Sequence, residues 1–318
     1  MRVNALIRQQ FFMPLSTIWI LLRDTVYAYF EDDAPRLGAA LAFYVILSLP
    51  PALMLITLLL NKFIDAQSIQ GQLYTQLHEI LDEKAAIFVM GIAQNAVFQP
   101  KANLGYTLIG ILSAWLSAMG ASVQLQASFN TIWRVRVKPG KGNVVWNFIK
   151  GRLLSMVMLL SIGAFVATGL IATTVLSTLS AYVSQWVAEW SHYIYIGNFI
   201  TSYLLFLFIF SVMFKYIPDV QLDWEDVWLG AIVTTVLFGI GRYLIGIYLS
   251  RIDSVNAYGV AGSLVVVLLW VFYSLQILFF GVEFTKTWYL LRGKKIRPYQ
   301  HVEHNINLRA SDQQKMEH

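Results

Sequence analysis

Six stretches of this chain are long, apolar and poor enough in charge to cross a lipid bilayer, and no other feature constrains its fold as tightly. A spanning helix needs about 20 apolar residues, because about 30 Å of hydrocarbon is crossed at about 1.5 Å per residue. Stretches of that kind place spans at about 37–60, 105–127, 153–176, 196–214, 227–250 and 260–282. Within hydrocarbon, backbone N–H and C=O groups find no water, so each stretch must satisfy them internally as a helix. The expected fold is an all-α, polytopic membrane helix bundle with six transmembrane helices. Composition agrees: of 318 residues, 57% are hydrophobic and 13% charged, where a soluble domain carries about 25% charged residues. The chain has no cysteine, so disulfide scaffolds and thiolate chemistry are excluded.

Basic residues orient the bundle, since cytoplasmic loops are enriched in Lys and Arg. Arg2, Arg8, Arg23 and Arg36 precede the first span. Arg134, Arg136, Lys138, Lys141, Lys150 and Arg152 lie between spans two and three, and Lys215 between four and five. Lys286, Arg292, Lys294, Lys295, Arg297, Arg309 and Lys315 follow the sixth. The opposite side holds only Lys62, Lys84, Lys101 and Arg251. The bias places both termini in the cytoplasm. The net charge of +5 is therefore mainly a topology signal, with attraction to anionic headgroups, and not the mark of a nucleic-acid binder.

Residues 1–36 form a cytoplasmic segment whose apolar run from Phe11 to Leu22 reads as an interfacial amphipathic helix. Residues 37–292 are the transmembrane domain, and 293–318 a polar tail expected to be disordered. Between spans one and two, Ile69, Leu73, Leu77 and Leu81 recur every four residues, which predicts a second amphipathic helix. Tyr182, Trp186, Trp190, Tyr193 and Tyr195 read as an aromatic belt at headgroup level.

Charge inside a bilayer is costly, so an intramembrane charge is a functional candidate. Arg242 lies in span five, about eight residues, or roughly 12 Å, before its outer end. It is either a snorkelling anchor or a site for an anionic group, and Gly239 and Gly241 beside it permit close helix approach. Glu283 closes span six with Lys286 one turn later, a spacing that fits an interfacial ion pair or a proton-coupling carboxylate. Asp33, before span one, is a second candidate for coupling. Ser48, Pro50 and Pro51 predict a kink or break in span one, of the kind that frees carbonyls for a ligand. Gln124 and Asn130 in span two, and Tyr273 and Gln276 in span six, supply hydrogen-bonding groups for helix packing or a substrate path. The four acids of the 219–226 loop (Asp219, Asp223, Glu225 and Asp226) read as a solvated cap before span five.

The chain shows no catalytic motif. No HExxH arrangement, phosphate-cradling GxxxxGKS/T loop or GxSxG elbow occurs, so no cofactor or metal is expected. The residues predict a transporter or flippase-like protein for a small solute or anionic lipid. Membrane lipids are its expected partners, nucleic acid is not one, and an oligomer is compatible. A non-transporting scaffold for envelope assembly is the alternative. An intramembrane enzyme is a third reading, for which only Glu283 and Asp33 offer an acid.

Five segments together resemble the YihY family, also called the virulence factor BrkB family. They are DDAPRLGAALAFYVILSLPP (32–51), FNTIWRV (129–135), FKYIPDVQLDWEDVWLGA (214–231), GRYLIGIYL (241–249) and YGVAGSLVVVLLWVFYSLQILFFGVEF (258–284). The resemblance covers about residues 20–292 and implies a bacterial inner-membrane protein of six helices. It also implies links to serum resistance or lipid export, and Arg242 matches a basic position of the family's span-five motif. Older ribonuclease labels in the family find no support here, because a metal-dependent nuclease needs clustered histidines and carboxylates.

Overall fold

The computed structural model describes residues 15–60, 86–87, 89–91, 104–137, 191–250, 260–299 and 302–304. The elements are α1 (Leu15–Glu31), α2 (Ala34–Leu60), α3 (Leu104–Ile132), β1 (Val135–Val137), α4 (Ser191–Tyr216), α5 (Trp224–Ser250), α6 (Val260–Leu291) and β2 (Val302–His304). The chain is thus all-α apart from one short antiparallel β pair, which matches Val135 to His304 and Val137 to Val302. Among the described residues, Trp224–Tyr248 and Leu264–Leu291 are helical stretches long and apolar enough to cross a membrane. Span three and the aromatic residues at 182–190 lie outside the described residues. So does most of the expected 66–97 helix, of which Ala86 and Val89 are buried with Val266 and Val267 of α6.

α6 is the central element, packing against α5, α2, α1 and α3, while α2 also packs on α3 and α4 on α5. Its 32 residues are apolar over nearly their whole length, largely buried from Ile277 to Thr287 and exposing Leu264, Val265 and Leu268 near its start. The antiparallel α5–α6 contact rests on a reciprocal Gly-x-x-x-Thr pair. A Cβ on Gly230 would stand 1.8 Å from Thr285 Oγ1, and one on Gly281 1.8 Å from Thr234 Oγ1. Each threonine donates to its own helix, Thr234 to Gly230 O and Thr285 to Gly281 O at 2.7 Å, so neither hydroxyl is orphaned. Small residues let two backbones meet closely where no hydrophobic force acts between helices. Below this contact Phe129, Phe214 and Phe279 pack ring against ring at 6.2 Å, with Trp133 edge-on to Tyr289 at 5.6 Å.

α1 buries Leu21 and Thr25 and exposes Trp19, Tyr27 and Phe30, the two faces of an amphipathic helix. A tight turn separates it from α2. Asp33 adopts φ 53°, its carbonyl accepts from Leu37 N at 3.1 Å, and Pro35 sits in the first turn of α2, where a missing N–H is harmless.

Two expectations about chain shape change. α2 is one continuous helix through Ser48, Pro50 and Pro51, so the predicted break is not present; a membrane helix tolerates proline where its neighbours compensate for the lost bond. The polar tail is ordered in its described part. Gly293, at φ 71°, turns the chain back beneath the bundle. Gln221 N then donates to Arg297 O at 2.9 Å and Tyr299 N to Asp219 O at 3.2 Å, Val220 bridges Pro298, and β2 joins β1. The tail's backbone finds partners that its composition does not advertise.

Candidate functional site

The ends of α1, α3 and α6 meet at one end of the bundle, together with the α4–α5 loop, and bring buried charge with them. Glu283 is wholly buried (0% exposed), and Lys286 and Asp32 are nearly so. Lys286 Nζ lies 2.7 Å from Glu283 Oε2, donates to Asp32 Oδ2 at 2.5 Å and donates to Ile132 O at 2.9 Å. The last two are hydrogen bonds, whereas the contact with Glu283 is an ion pair without hydrogen-bond geometry. Asp32 also meets the Arg134 guanidinium at 3.2 Å, and Arg134 reaches Glu31 at 3.1 Å. Arg134, like Asp33, has a left-handed backbone, φ 53°. Such a conformation costs a non-glycine residue roughly 1–3 kcal/mol and persists only where its surroundings enforce it. Glu283 is the exception to this pairing: among the described residues neither of its oxygens makes a well-aligned hydrogen bond.

Two further clusters surround this one. Asn130 Nδ2 donates to Asp219 Oδ2 at 2.8 Å and its Oδ1 accepts from Asp219 N at 2.9 Å, while Gln126 Nε2 reaches both Asp219 oxygens at 3.2–3.3 Å. Asp226, 1% exposed, pairs with Arg292 at 3.3 Å and with Lys294. The acidic loop is therefore only half a solvated cap. Asp223 and Glu225 face outward, but Asp219 and Asp226 are buried, because α3 and the returning tail supply their partners.

Arg242 is placed differently. It is exposed on α5, with no ion pair or hydrogen bond among the described residues. It lines a shallow crevice with Phe238, Ile245, Trp270, Tyr273, Ser274 and Ile277, too narrow as it stands for a water-sized molecule. Gly241 makes this corner: a Cβ there would meet Ile277 and Tyr273 at 2.6–2.9 Å. The closeness expected of Gly239 is also present, against Tyr203 of α4.

Of the residues singled out by sequence, the structure brings together Arg242 with Tyr273 and Glu283 with Lys286. The others have different employments. Asn130 clamps Asp219. Gln276 accepts from the Tyr29 hydroxyl and lies 3.5 Å from Pro35 O, tying α6 to α1 and α2. Burial pushes Tyr29 up to about 12, so its hydroxyl stays a donor at neutral pH. Gln124 and Ser48 bond within their own helices, to Ser128 Oγ at 3.5 Å and Val45 O at 2.8 Å. The side chain of Pro50 lies outside the described residues. Asp33 is exposed and pairs with Arg36 at 3.0 Å, so it stands outside the buried cluster, which its neighbour Asp32 enters instead. Glu283 and Lys286 form the ion pair their spacing predicts. Asp32 and Arg134 were missed, since nothing local marks them. Among the described residues no three His, Asp or Glu side chains converge to hold a metal ion.

The family model described as virulence factor BrkB matches residues 25–302. A UPF0761 membrane protein of Psychrobacter sp. strain PRwf-1 is 22% identical over 278 residues, which is 87% of this chain and 50% of that protein. One of Ralstonia nicotianae is 24% identical over 82% of this chain and 57% of its own length. One of Tolumonas auensis is 28% identical over 60% of this chain and 62% of its own. The chain thus spans about half the length of the first curated relatives it matches. These relatives are named only as membrane proteins, with no reaction attached. No solved structure matches the chain.

Proposed function

The chain belongs to the virulence factor BrkB family, and from that premise we propose that this membrane protein moves an anionic lipid or a small anionic solute across a bacterial inner membrane. In this reading six spans cross the bilayer, with both termini in the cytoplasm. The observation that supports it most is Arg242. Glu283 and Lys286 on α6 pair with each other, whereas Arg242, eight residues before the end of α5, has no ion pair or hydrogen bond among the described residues. An intramembrane charge without a protein partner is costly unless water or a ligand meets it. A phosphate or carboxylate is the natural counterpart of a guanidinium, which it meets through paired hydrogen bonds. Tyr273 and Trp270 beside it offer a hydroxyl and an indole at the same depth.

Transport requires the α5–α6 crevice to widen, since it is closed to a water-sized molecule in this state. That narrowness is what favours the second reading, a scaffold in envelope assembly that carries nothing. The sequence contains no nucleotide-binding loop, so active movement in this reading draws on an ion gradient or a partner.

Proteoliposomes separate the two. Full-length protein is reconstituted and the movement of labelled anionic lipids and of small anions is compared with that in Arg242→Gln and Arg242→Lys. Transport predicts movement that fails in the glutamine variant and persists in part with lysine. Movement unchanged in Arg242→Gln removes this residue from the mechanism, and no movement of any anion by folded protein supports the scaffold.

A further inference from the structure

We propose that Glu283, in its cluster with Asp32 and Lys286, is a proton-binding site that couples the bundle to the proton gradient; the coupling half rests on the transport reading above. Two carboxylates share one ammonium here. Asp32 Oδ2 and Glu283 Oε2 both lie within 2.7 Å of Lys286 Nζ, so they are near neighbours. That ammonium also donates a hydrogen bond to Ile132 O. With both carboxylates ionised the trio carries one uncompensated negative charge in a place that water does not reach. Arg134 offsets part of it, but only from the Asp32 side: its ion-pair partners among the described residues are Asp32 and the partly exposed Glu31.

The deficit falls on Glu283 and not on Asp32. Asp32 receives Lys286 and Arg134 from two sides. Glu283 receives Lys286 alone, and its Oε1 faces no donor among the described residues. A buried carboxylate with an orphaned oxygen is expensive to keep ionised, and a proton on that oxygen removes the excess charge. The step is a simple association: Glu283 carboxylate plus one proton gives the neutral carboxylic acid, and the trio goes from one net negative charge to zero. The described charged groups around Glu283 are Asp32 just after α1, with Glu31 beyond it, Arg134 after α3, and Lys286 of its own helix. α5 contributes the uncharged Gly230 and Thr234 opposite Gly281 and Thr285.

The site is placed to transmit the event. Lys286 joins three elements, since it holds α6 to the end of α1 through Asp32 and to the end of α3 through Ile132. A second full negative charge on Glu283 draws the ammonium toward α6 and weakens its hold on Asp32. Proton release on one side of a gradient thereby loosens the α1–α3–α6 junction, and proton uptake restores it.

Infrared difference spectroscopy of the full chain in lipid bilayers reads the proton directly. The wild type is expected to show the C=O band of a buried carboxylic acid that disappears on alkalinisation. The band should shift when glutamate is labelled with carbon-13 at its carboxyl, vanish in Glu283→Gln and persist in Asp33→Asn. The isotope arm uses unaltered protein and so survives a folding failure of the variant. A wild type without the band, a band insensitive to glutamate labelling, or a band retained in folded Glu283→Gln overturns the proton site. In proteoliposomes a pH gradient should change wild-type flux and leave Glu283→Gln flux unaffected; equal responses in both overturn the coupling. If the wild type moves no anion at all, the transport reading has failed and the infrared result still decides the proton site.

Discussion

At the meeting of α1, α3 and α6, Asp32, Glu283 and Lys286 are packed almost entirely out of solvent, with Arg134 and Glu31 at their edge. On α5 a single guanidinium, Arg242, lies exposed beside aromatic rings with no partner among the described residues. The first region carries five charges and fixes the ends of three elements; the second carries one charge and fixes nothing. Buried charges that are paired specify geometry, and breaking one pair leaves the other partner stranded. An exposed charge without a partner among the described residues contributes little to the fold and is free to meet a ligand. Stability should therefore follow the first region and activity the second.

The largest loss should come from Asp32→Ala. It leaves Lys286 and Arg134 without their buried carboxylate and should cost about 3–5 kcal/mol, read as a lowered Tm in detergent or nanodiscs. Asn130→Ala should follow. It removes two hydrogen bonds to the buried Asp219 and should cost about 2–3 kcal/mol by the same assay. Gly281→Ala should cost about 1–3 kcal/mol, because its new Cβ forces Thr234 to move, and serine at position 234 should recover little of this. Asp33→Asn should change stability by no more than about 0.5 kcal/mol, since its pair with Arg36 is exposed. If Asp33→Asn destabilises as much as Asp32→Ala, the separation of buried cluster from solvated turn is wrong.

Local signals in the sequence were informative and distant ones were not. Apolar runs of sufficient length marked the helices of α5 and α6, and the one-turn spacing of Glu283 and Lys286 marked their pair. Gly241 beside Arg242 correctly announced a close approach. Asp32 was invisible as a site residue, because its partner Lys286 is 254 positions away and Asp33 beside it looks the same in sequence. The left-handed turn at Asp33 decides between them, turning one carboxylate inward and the other to solvent. The pairing of Asn130 with Asp219 escaped for the same reason, the two being 89 positions apart, although each is singled out by itself in the sequence. The described part of the tail is held by backbone pairing with Gln221, Val220 and β1, which a polar composition does not announce; the remainder lies outside the described residues.

The contrast between the two regions comes down to whether Arg242 holds an anion. Native mass spectrometry of wild-type protein, Arg242→Gln and Arg242→Lys, extracted from the same membranes, tests this most directly. The account predicts an anionic lipid or small anion retained by the wild type and by the lysine variant and lost from the glutamine variant, with all three equally stable. The same anion on the glutamine variant at the same occupancy would contradict it.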